Sequence, residues 1–182
     1  MKRLLLLRHA KSSWSDPRQA DFDRPLNPRG RKACERLGPF LGAQVRPPAL
    51  VLCSPALRTR ETWERIAPAT GWDAPLRHAR GVYAASTTAL RELLSELGDA
   101  EDAASVLIIG HNPALQDLAV SLIGRGRADL IEKLADKLPT GGLVEMEADI
   151  GAWADLRPGC ARLLRFVTPR RLPVVKPGVA DG

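Results

Sequence analysis

The chain has 182 residues, of which 45% are hydrophobic and 26% are charged, so it can bury the core of one ordinary domain without disulfides or structural metals. Both fractions are near the average for globular proteins, which argues against intrinsic disorder and against a membrane-spanning chain. The formal net charge of +6 favours an anionic partner, which could be a phosphate group, a nucleic acid or an acidic protein.

The cysteines and the N-terminal residues predict where the protein is found. Cys34, Cys53 and Cys160 are an odd number at wide spacings, which matches neither a disulfide framework nor a zinc motif, so we predict reduced thiols. The apolar run at residues 4–7 follows two basic residues but is far too short for the hydrophobic region of a signal peptide. Both features predict a cytoplasmic protein that is not exported.

The first part of the chain predicts a strand, a long loop and a helix. An apolar strand at residues 4–7 is followed by a polar loop, rich in Ser, Asp and Pro, that reaches Pro28. A loop of this length inside a compact domain is often functional. Asn27 and Pro28 are typical of a helix start, and Gly38 with Pro39 predicts a kink or break in that helix.

The middle of the chain alternates between the two kinds of element. A strand at residues 50–53 precedes Ser54 and Pro55, which we predict to be the N-cap and the first-turn proline of a second helix. A short strand is predicted near Leu76. The leucines within residues 90–97 recur at helical spacing, so a third helix follows.

The same alternation continues through the last part of the chain. A buried strand is predicted at residues 106–109, and amphipathic helices are predicted at residues 113–123 and 130–138. Two late strands at residues 143–147 and 163–167 complete the set.

Strands that alternate with helices predict an α/β fold, a three-layer sandwich with a mostly parallel central sheet and helices on both faces. We assign residues 1–168 to a single domain and residues 169–182, with three prolines and two glycines, to an extended C-terminal tail. In such sheets ligands bind beyond the carboxyl ends of the strands. Residues just after Leu7, Cys53 and Ile109 should therefore converge.

Residues suited to phosphate chemistry follow three of the predicted strands. Arg8 and His9 come directly after the first strand, Arg58 lies just beyond the second, and His111 follows the strand at residues 106–109. The chain has three histidines, and two of them stand at these strand ends. We therefore expect the four side chains to meet at one edge of the sheet.

These residues meet the needs of phosphoryl transfer, in which charge on the phosphoryl oxygens must be matched by positioned donors. Arg8 and Arg58 are predicted to clamp the phosphate through bidentate, permanently charged guanidinium groups. A neutral imidazole can attack phosphorus without a separate base, and this role is predicted for His9. His111, protonated while phosphate is bound, is predicted to stabilise the transferring group.

Four segments carry a resemblance to a known family: LLLLRHAKSSW, RPLNPRGRKA, VLCSPALRTRET and VLIIGHNPALQDL. In their order and spacing the chain resembles the histidine phosphatase superfamily, and within it the short SixA-type phosphohistidine phosphatases. The resemblance implies a phosphoglycerate mutase-like fold, a metal-independent phosphatase activity and phosphorylation of His9. It also assigns Arg8, Arg58 and His111 to the rest of the phosphate pocket.

The sequence departs from the family pattern at two places. Ala10 stands where the family usually has a glycine, a small replacement that fits if the backbone there avoids positive φ. Many members carry a glutamate general acid before the third helix, whereas the corresponding segment here, HARGVYAAST, contains no carboxylate. The candidate acids therefore come from other segments: Asp16, Asp21, Asp23 and Glu61.

The missing acid bears on the choice of substrate. An alkoxide leaving group needs a proton in order to depart readily, whereas the nitrogen of a phosphorylated histidine can be protonated beforehand. We therefore predict a phosphatase that acts through a phosphohistidine enzyme intermediate and dephosphorylates phosphohistidine on a protein. The alternative among enzymes is a phosphatase of small phosphate esters or sugar phosphates.

An alternative of another class is a non-catalytic module that binds phosphate or nucleic acid through basic residues such as Arg24, Arg29, Arg31 and Lys32. Aromatic residues make up only 4% of the chain and no recognition motif occurs, which argues against nucleic acid. No carboxylate cluster accompanies the strand ends, and neither a phosphate loop nor a dinucleotide fingerprint is present. The predicted partner is a phosphohistidine-bearing protein or a small phosphorylated molecule, with no metal, cofactor, nucleic acid or membrane.

Overall fold

A computed structural model describes residues 1–97 and 103–173, and this part of the chain holds seven strands and five α-helices. None of these helices is long and apolar enough to cross a membrane. The strands are β1 (Lys2–Arg8), β2 (Leu50–Cys53), β3 (Leu76–His78), β4 (Ser105–Gly110), β5 (Ile123–Arg125), β6 (Leu143–Ala148) and β7 (Ala161–Val167). The helices are α1 (Pro28–Gln44), α2 (Leu57–Thr70), α3 (Thr87–Ser95), α4 (Ala114–Leu122) and α5 (Ala128–Asp136).

The seven strands form one sheet in the order β3-β2-β4-β1-β6-β7-β5. Four neighbouring pairs are parallel, and the pairs β1/β6 and β6/β7 are antiparallel. The predicted α/β fold with a mostly parallel sheet is therefore confirmed. Because β4 lies between β1 and β2, the carboxyl ends of these three strands are neighbours.

The helices cover both faces of the sheet, as β1 illustrates. Leu5 and Leu7 belong to the apolar cluster that includes the buried faces of α1 and α2. Leu4 and Leu6 belong to the opposite cluster, formed with α3, α4 and α5. A strand that is buried on both faces needs apolar residues at successive positions, which explains the run of four leucines.

Helix α1 runs unbroken from Pro28 to Gln44, so the break predicted at Gly38 and Pro39 does not occur. A Cβ atom at Gly38 would lie 2.8 Å from the Cβ of Ala69 and 3.0 Å from the carbonyl oxygen of Ile66 on α2. The glycine therefore lets the two helices pack closely. We attribute the continuity of the helix to this packing, which outweighs the poor helix propensities of glycine and proline.

The predicted start of α2 is also corrected. This helix begins at Leu57 with Ala56 as its N-cap residue, so Ser54 does not cap it. The hydroxyl of Ser54 instead lies 2.7 Å from Nε2 of His111. The serine is therefore part of the site at the strand ends.

The first residues of the predicted tail are folded and not extended. Pro169–Arg171 forms a 3-10 turn beside α1, and Leu172 is buried in the apolar cluster that contains Leu37 and Leu41. The prediction of an extended chain is wrong for these residues, because Pro169 and Leu172 are buried and the segment packs against α1. Residues 174–182 lie outside the described part of the chain, and the domain boundary at residue 168 stays a prediction.

Candidate active site

The carboxyl ends of the neighbouring strands β1 and β4 carry two of the residues predicted to meet. His9 follows β1, His111 follows β4, and the amide of His9 donates a hydrogen bond to the carbonyl of Gly110, at 3.0 Å. Arg58 is the second residue of α2, the helix that follows the adjacent strand β2. The connectivity of the sheet therefore delivers three side chains to one place.

His9 is buried, with 7% of its surface exposed, and its tautomer follows from its partners. Nδ1 lies 2.7 Å from the carbonyl oxygen of Ala10, which can only accept, so Nδ1 carries the hydrogen. Nε of Arg58 donates to Nε2 of His9 at 3.3 Å, so Nε2 carries no hydrogen and accepts this bond through its electron pair. Burial lowers the pKa of His9 to about 3, which keeps the ring neutral near pH 7.

Arg58 connects the other groups of the site. Only 5% of its surface is exposed, and each of its three nitrogens has a partner. Nε contacts His9, Nη1 donates to the carbonyl of Asp21, and Nη2 lies 2.9 Å from Oδ2 of Asp21 and 3.1 Å from Nδ1 of His111. One guanidinium group thus touches both histidines and an acid.

His111 is held in a single tautomer as well. Its Nδ1 accepts from Arg58, so Nε2 carries the hydrogen and donates it to the hydroxyl of Ser54 at 2.7 Å. Burial, followed by the nearby charge of Arg58, lowers the pKa of His111 to about 4. With no phosphate bound the ring is therefore neutral near pH 7. Protonation of His111 while phosphate is bound stays a prediction.

Asp21 is the one candidate acid that contacts Arg58. Its Oδ1 lies 2.7 Å from Nη2 of Arg24, and its Oδ2 accepts from Arg58 and from the hydroxyl of Tyr83, the latter at 3.1 Å. Partial burial raises the pKa of Asp21, but the hydrogen bond from Arg24 and the charge and hydrogen bond of Arg58 outweigh it and lower the pKa to about 2. At neutral pH the carboxyl group is ionised and holds no proton to donate.

The other three candidate acids lie outside this cluster. Asp16 is exposed and pairs with Arg18 on the loop surface. Asp23 is exposed, and Oε2 of Glu61 accepts a hydrogen bond from the amide of Leu26 at 2.6 Å. Within the described residues none of the three is hydrogen-bonded to His9, Arg58 or His111.

Arg8 makes none of these contacts and lines a neighbouring groove. Its Nη1 donates to the carbonyl of Leu138 at 2.8 Å, while its buried Nε has no partner within the described residues. Burial is the main cause that lowers the pKa values of His9 and His111. The positive charge of Arg8 is a smaller cause of both shifts, so this cation lies near both rings. Its role as a second phosphate clamp stays a prediction.

Thr62, a residue that the sequence did not point to, holds the site in place. The amide of Ala10 donates to the hydroxyl oxygen of Thr62 at 3.0 Å, and this hydroxyl donates to the carbonyl of Arg58 at 2.6 Å. Arg58 and Thr62 are four residues apart, which places them on the same face of a helix. This spacing could have identified Thr62 as a site residue from the sequence. Ala10 itself has no positive φ, because Ala84 is the one described non-glycine residue that does. The alanine thus fits where the family has glycine.

An open mouth of about 410 Å³ lies beside these groups and is lined by Phe22, Pro55, Arg80 and Tyr83. The rings of Tyr83 and His111 meet edge to face, with their centroids 5.6 Å apart. Among the described residues no group of three or more His, Cys, Asp or Glu side chains is arranged to hold a metal ion.

Comparison with known protein families gives a match over residues 4–82, to the model described as the histidine phosphatase superfamily (branch 1). This stretch includes His9 and Arg58. An uncharacterised protein of Mycobacterium tuberculosis is 38% identical over 166 residues, which cover 90% of this chain and all of the relative.

Two solved structures are similar to the chain over nearly their whole length. The candidate phosphohistidine phosphatase SixA of Agrobacterium tumefaciens is 29% identical, with a TM-score of 0.74 and coverage of 92% of this chain and 98% of that one. The corresponding candidate SixA of Nakamurella multipartitia is 27% identical, with a TM-score of 0.76 and coverage of 92% and 96%.

Proposed function

The chain belongs to branch 1 of the histidine phosphatase superfamily, and from this membership we propose that it hydrolyses phosphohistidine on another protein through a phosphorylated His9. The observation that carries the proposal is the contact of Arg58 with both Nε2 of His9 and Nδ1 of His111. An unprotonated, nucleophilic nitrogen thus lies next to a cation that can bind phosphoryl oxygens, and its electron pair becomes available once Arg58 turns to those oxygens.

In the first step, the phosphoryl oxygens bind to Arg58 and the electron pair of His9 Nε2 attacks phosphorus. A P–N bond forms at Nε2 while the P–N bond of the substrate breaks, and its electron pair returns to the departing imidazole. His9 becomes positively charged as it takes the phosphoryl group. The carbonyl of Ala10, 2.7 Å from Nδ1, stabilises that charge by accepting a hydrogen bond from the Nδ1–H group.

In the second step, water attacks the phosphorus of the phosphorylated His9. The P–Nε2 bond breaks, its electron pair returns to the ring, and inorganic phosphate leaves with the oxygen of the water while a proton goes to solvent. We propose that His111, once protonated beside the phosphate dianion, donates a hydrogen bond to the phosphoryl oxygens in both steps. Ser54, which accepts a hydrogen bond from Nε2, holds the ring of His111 in position for this role. The added proton is carried by Nδ1, the nitrogen that accepts from Arg58 while no phosphate is bound.

The leaving group decides which substrate this site favours. An ester oxygen needs a proton as it departs, and the acid nearest the guanidinium, Asp21, is ionised at neutral pH because its pKa is about 2. The imidazole of a phosphohistidine can be protonated on its distal nitrogen beforehand and departs as a neutral ring. The open mouth beside Tyr83 and Phe22 gives room for a histidine that projects from a protein surface.

The test is phosphate release, in the presence of EDTA, from a histidine-phosphorylated carrier protein and from a phosphoserine peptide. We expect release from the phosphohistidine protein alone, and we expect His9→Ala to abolish it. The matched control is His78→Ala, because His78 is exposed at the end of β3 and is not among the residues that line the open mouth. Comparable release from the phosphoserine peptide would favour an ester phosphatase, and activity that survives His9→Ala would refute the proposed mechanism.

A further inference from the structure

A strongly basic groove of about 680 Å³ lies beside the active site. Twelve residues line it, none of them acidic and none aromatic. Seven of the twelve are cations: Arg8, Lys11, Arg29, Lys32, Arg36, Lys137 and Arg170.

The cations come from separate elements and face one another across the groove. Arg29, Lys32 and Arg36 stand three and four residues apart on α1, so they form one stripe along the helix. Lys137 follows α5, and Arg170 belongs to the 3-10 turn that packs beside α1. The folded start of the predicted tail therefore builds one wall of the groove.

The acidic side chains of the described residues do not neutralise these charges. None of the seven cations has an ion-pair partner within residues 1–97 and 103–173. Most of them are exposed to solvent. A groove of one sign of charge concentrates the opposite charge and attracts a partner that carries it.

Arg8 joins the groove to the active site. It is the last residue of β1 and directly precedes His9, and its side chain lines the groove. Its Nε is buried without a partner in the described part of the chain, so one donor at this junction is unused. One end of the groove therefore lies at the residue that precedes His9.

We propose that this groove binds an acidic segment of the phosphohistidine-bearing protein, next to its phosphorylated histidine. The inference rests on the proposed function and adds a second point of recognition to it. Cations from at least three elements exceed what one phosphate group can contact, which favours an extended ligand. The absence of aromatic side chains from the lining favours an acidic peptide over a nucleic acid, because bases bind by stacking on such rings.

The first test measures binding and needs no catalysis. Fluorescence anisotropy at low ionic strength would follow a labelled oligoglutamate peptide with the wild type, with Arg29→Glu/Lys32→Glu and with Arg125→Glu/Arg157→Glu. Arg125 and Arg157 are exposed outside the groove, and both pairs of substitutions lower the formal net charge from +6 to +2. We expect the first pair to weaken binding about tenfold and the second pair to change it little.

Equal losses for the two pairs would overturn the proposal, because binding would then follow net charge and not the groove. Absence of binding by the wild type would overturn it as well. The same assay would include a single-stranded oligonucleotide of matched charge. If it bound to the groove more tightly than the peptide, the proposal of an acidic protein segment would be rejected in favour of a nucleic acid.

The second test separates the groove from the activity. The activity is compared on two substrates, the phosphohistidine protein and the small molecule phosphoramidate. We expect Arg29→Glu/Lys32→Glu to lower kcat/KM for the protein about tenfold relative to kcat/KM for phosphoramidate, because KM for the protein rises. The control pair should leave this ratio unchanged. An unchanged ratio for the groove variant, with normal turnover of the phosphoprotein, would reject the groove alone. A wild type that releases no phosphate from the phosphoprotein would reject the proposed function, and the binding test would still decide the groove.

Discussion

The carboxylate of Asp21 lies 2.9 Å from Nη2 of Arg58, the same nitrogen that lies 3.1 Å from Nδ1 of His111. An ionised side chain thus occupies one of the donors that a phosphoryl group would use. Because both the carboxylate and phosphate are anions, the two compete for the guanidinium group.

Asp21→Asn is therefore expected to tighten the inhibition by inorganic phosphate about threefold to tenfold, since a like charge near the bound anion is removed. Turnover of the phosphohistidine protein should stay within about tenfold of the wild type, because Asp21 holds no proton to donate. Asp23→Asn, at an exposed neighbouring position, is the control. Weaker inhibition in Asp21→Asn would show that the carboxylate serves to orient Arg58.

Arg58→Lys is expected to lower kcat/KM by about a hundredfold while the protein stays folded. Lysine keeps the charge but cannot contact His9, His111 and Asp21 at the same time, as the planar guanidinium group does. Steady-state kinetics together with thermal melting would measure the effect. Arg65→Lys, on an exposed face of the same helix, should have normal kinetics.

Thr62→Val is expected to lower kcat about tenfold, because the amide of Ala10 loses the oxygen to which it donates. We interpret Thr62 as a positioning residue for the segment that holds His9. Thr62→Ser keeps the hydroxyl and should restore kcat. If the serine variant were as slow as the valine variant, the hydroxyl would not account for the rate, and the positioning role of Thr62 would be rejected.

Stability should fall as the pH is lowered from about 6.5. The folded pKa values of His9 and His111 are about 3 and about 4, below the ordinary value of 6.5, so in this range the unfolded chain binds protons that the folded chain does not. Each histidine accounts for at most about 1.4 kcal/mol per pH unit. Asp21, with a folded pKa of about 2 against 3.8, adds a further loss only below about pH 4.

Urea unfolding between about pH 7 and pH 4 would measure this dependence. The double variant His9→Asn/His111→Asn should show a flatter profile, because its folded state no longer buries the two neutral rings. A wild-type profile as flat as that of the variant would contradict the low pKa values.

Gly30→Ala is expected to destabilise the fold by about 2 kcal/mol. A Cβ atom there would lie 2.2 Å from the carbonyl oxygen of Lys11, a backbone atom that cannot move aside easily. Gly81→Ala is the control, because nothing lies within 4 Å of its Cβ position, and it should change stability by less than about 1 kcal/mol. The denaturant concentrations at the unfolding midpoints of the two variants would measure this difference in stability. Equal midpoints would contradict the steric argument.

The sequence alone predicted the mostly parallel sheet, apart from the short strand β5, and the meeting of His9 with His111. Periodicity locates β1, β2 and β4, since a strand buried on both faces must be apolar at successive positions. The carboxyl ends of parallel neighbours meet at one edge of the sheet. The positions of His9 and His111 directly after such strands therefore predict their contact before any coordinates are known.

The tertiary structure decided what no local pattern contains. Four acids were candidates, and only the conformation of the long loop brings Asp21 to Arg58, which is 37 positions away in the chain. Packing against α2 kept α1 continuous through Pro39, and burial of Leu172 folded the start of the predicted tail into a wall of the basic groove. The periodic spacing of apolar residues indicates which side chains are buried within helices and strands. Contacts between loops and distant side chains depend on the packing of the whole chain, so they follow from the fold and not from any single segment.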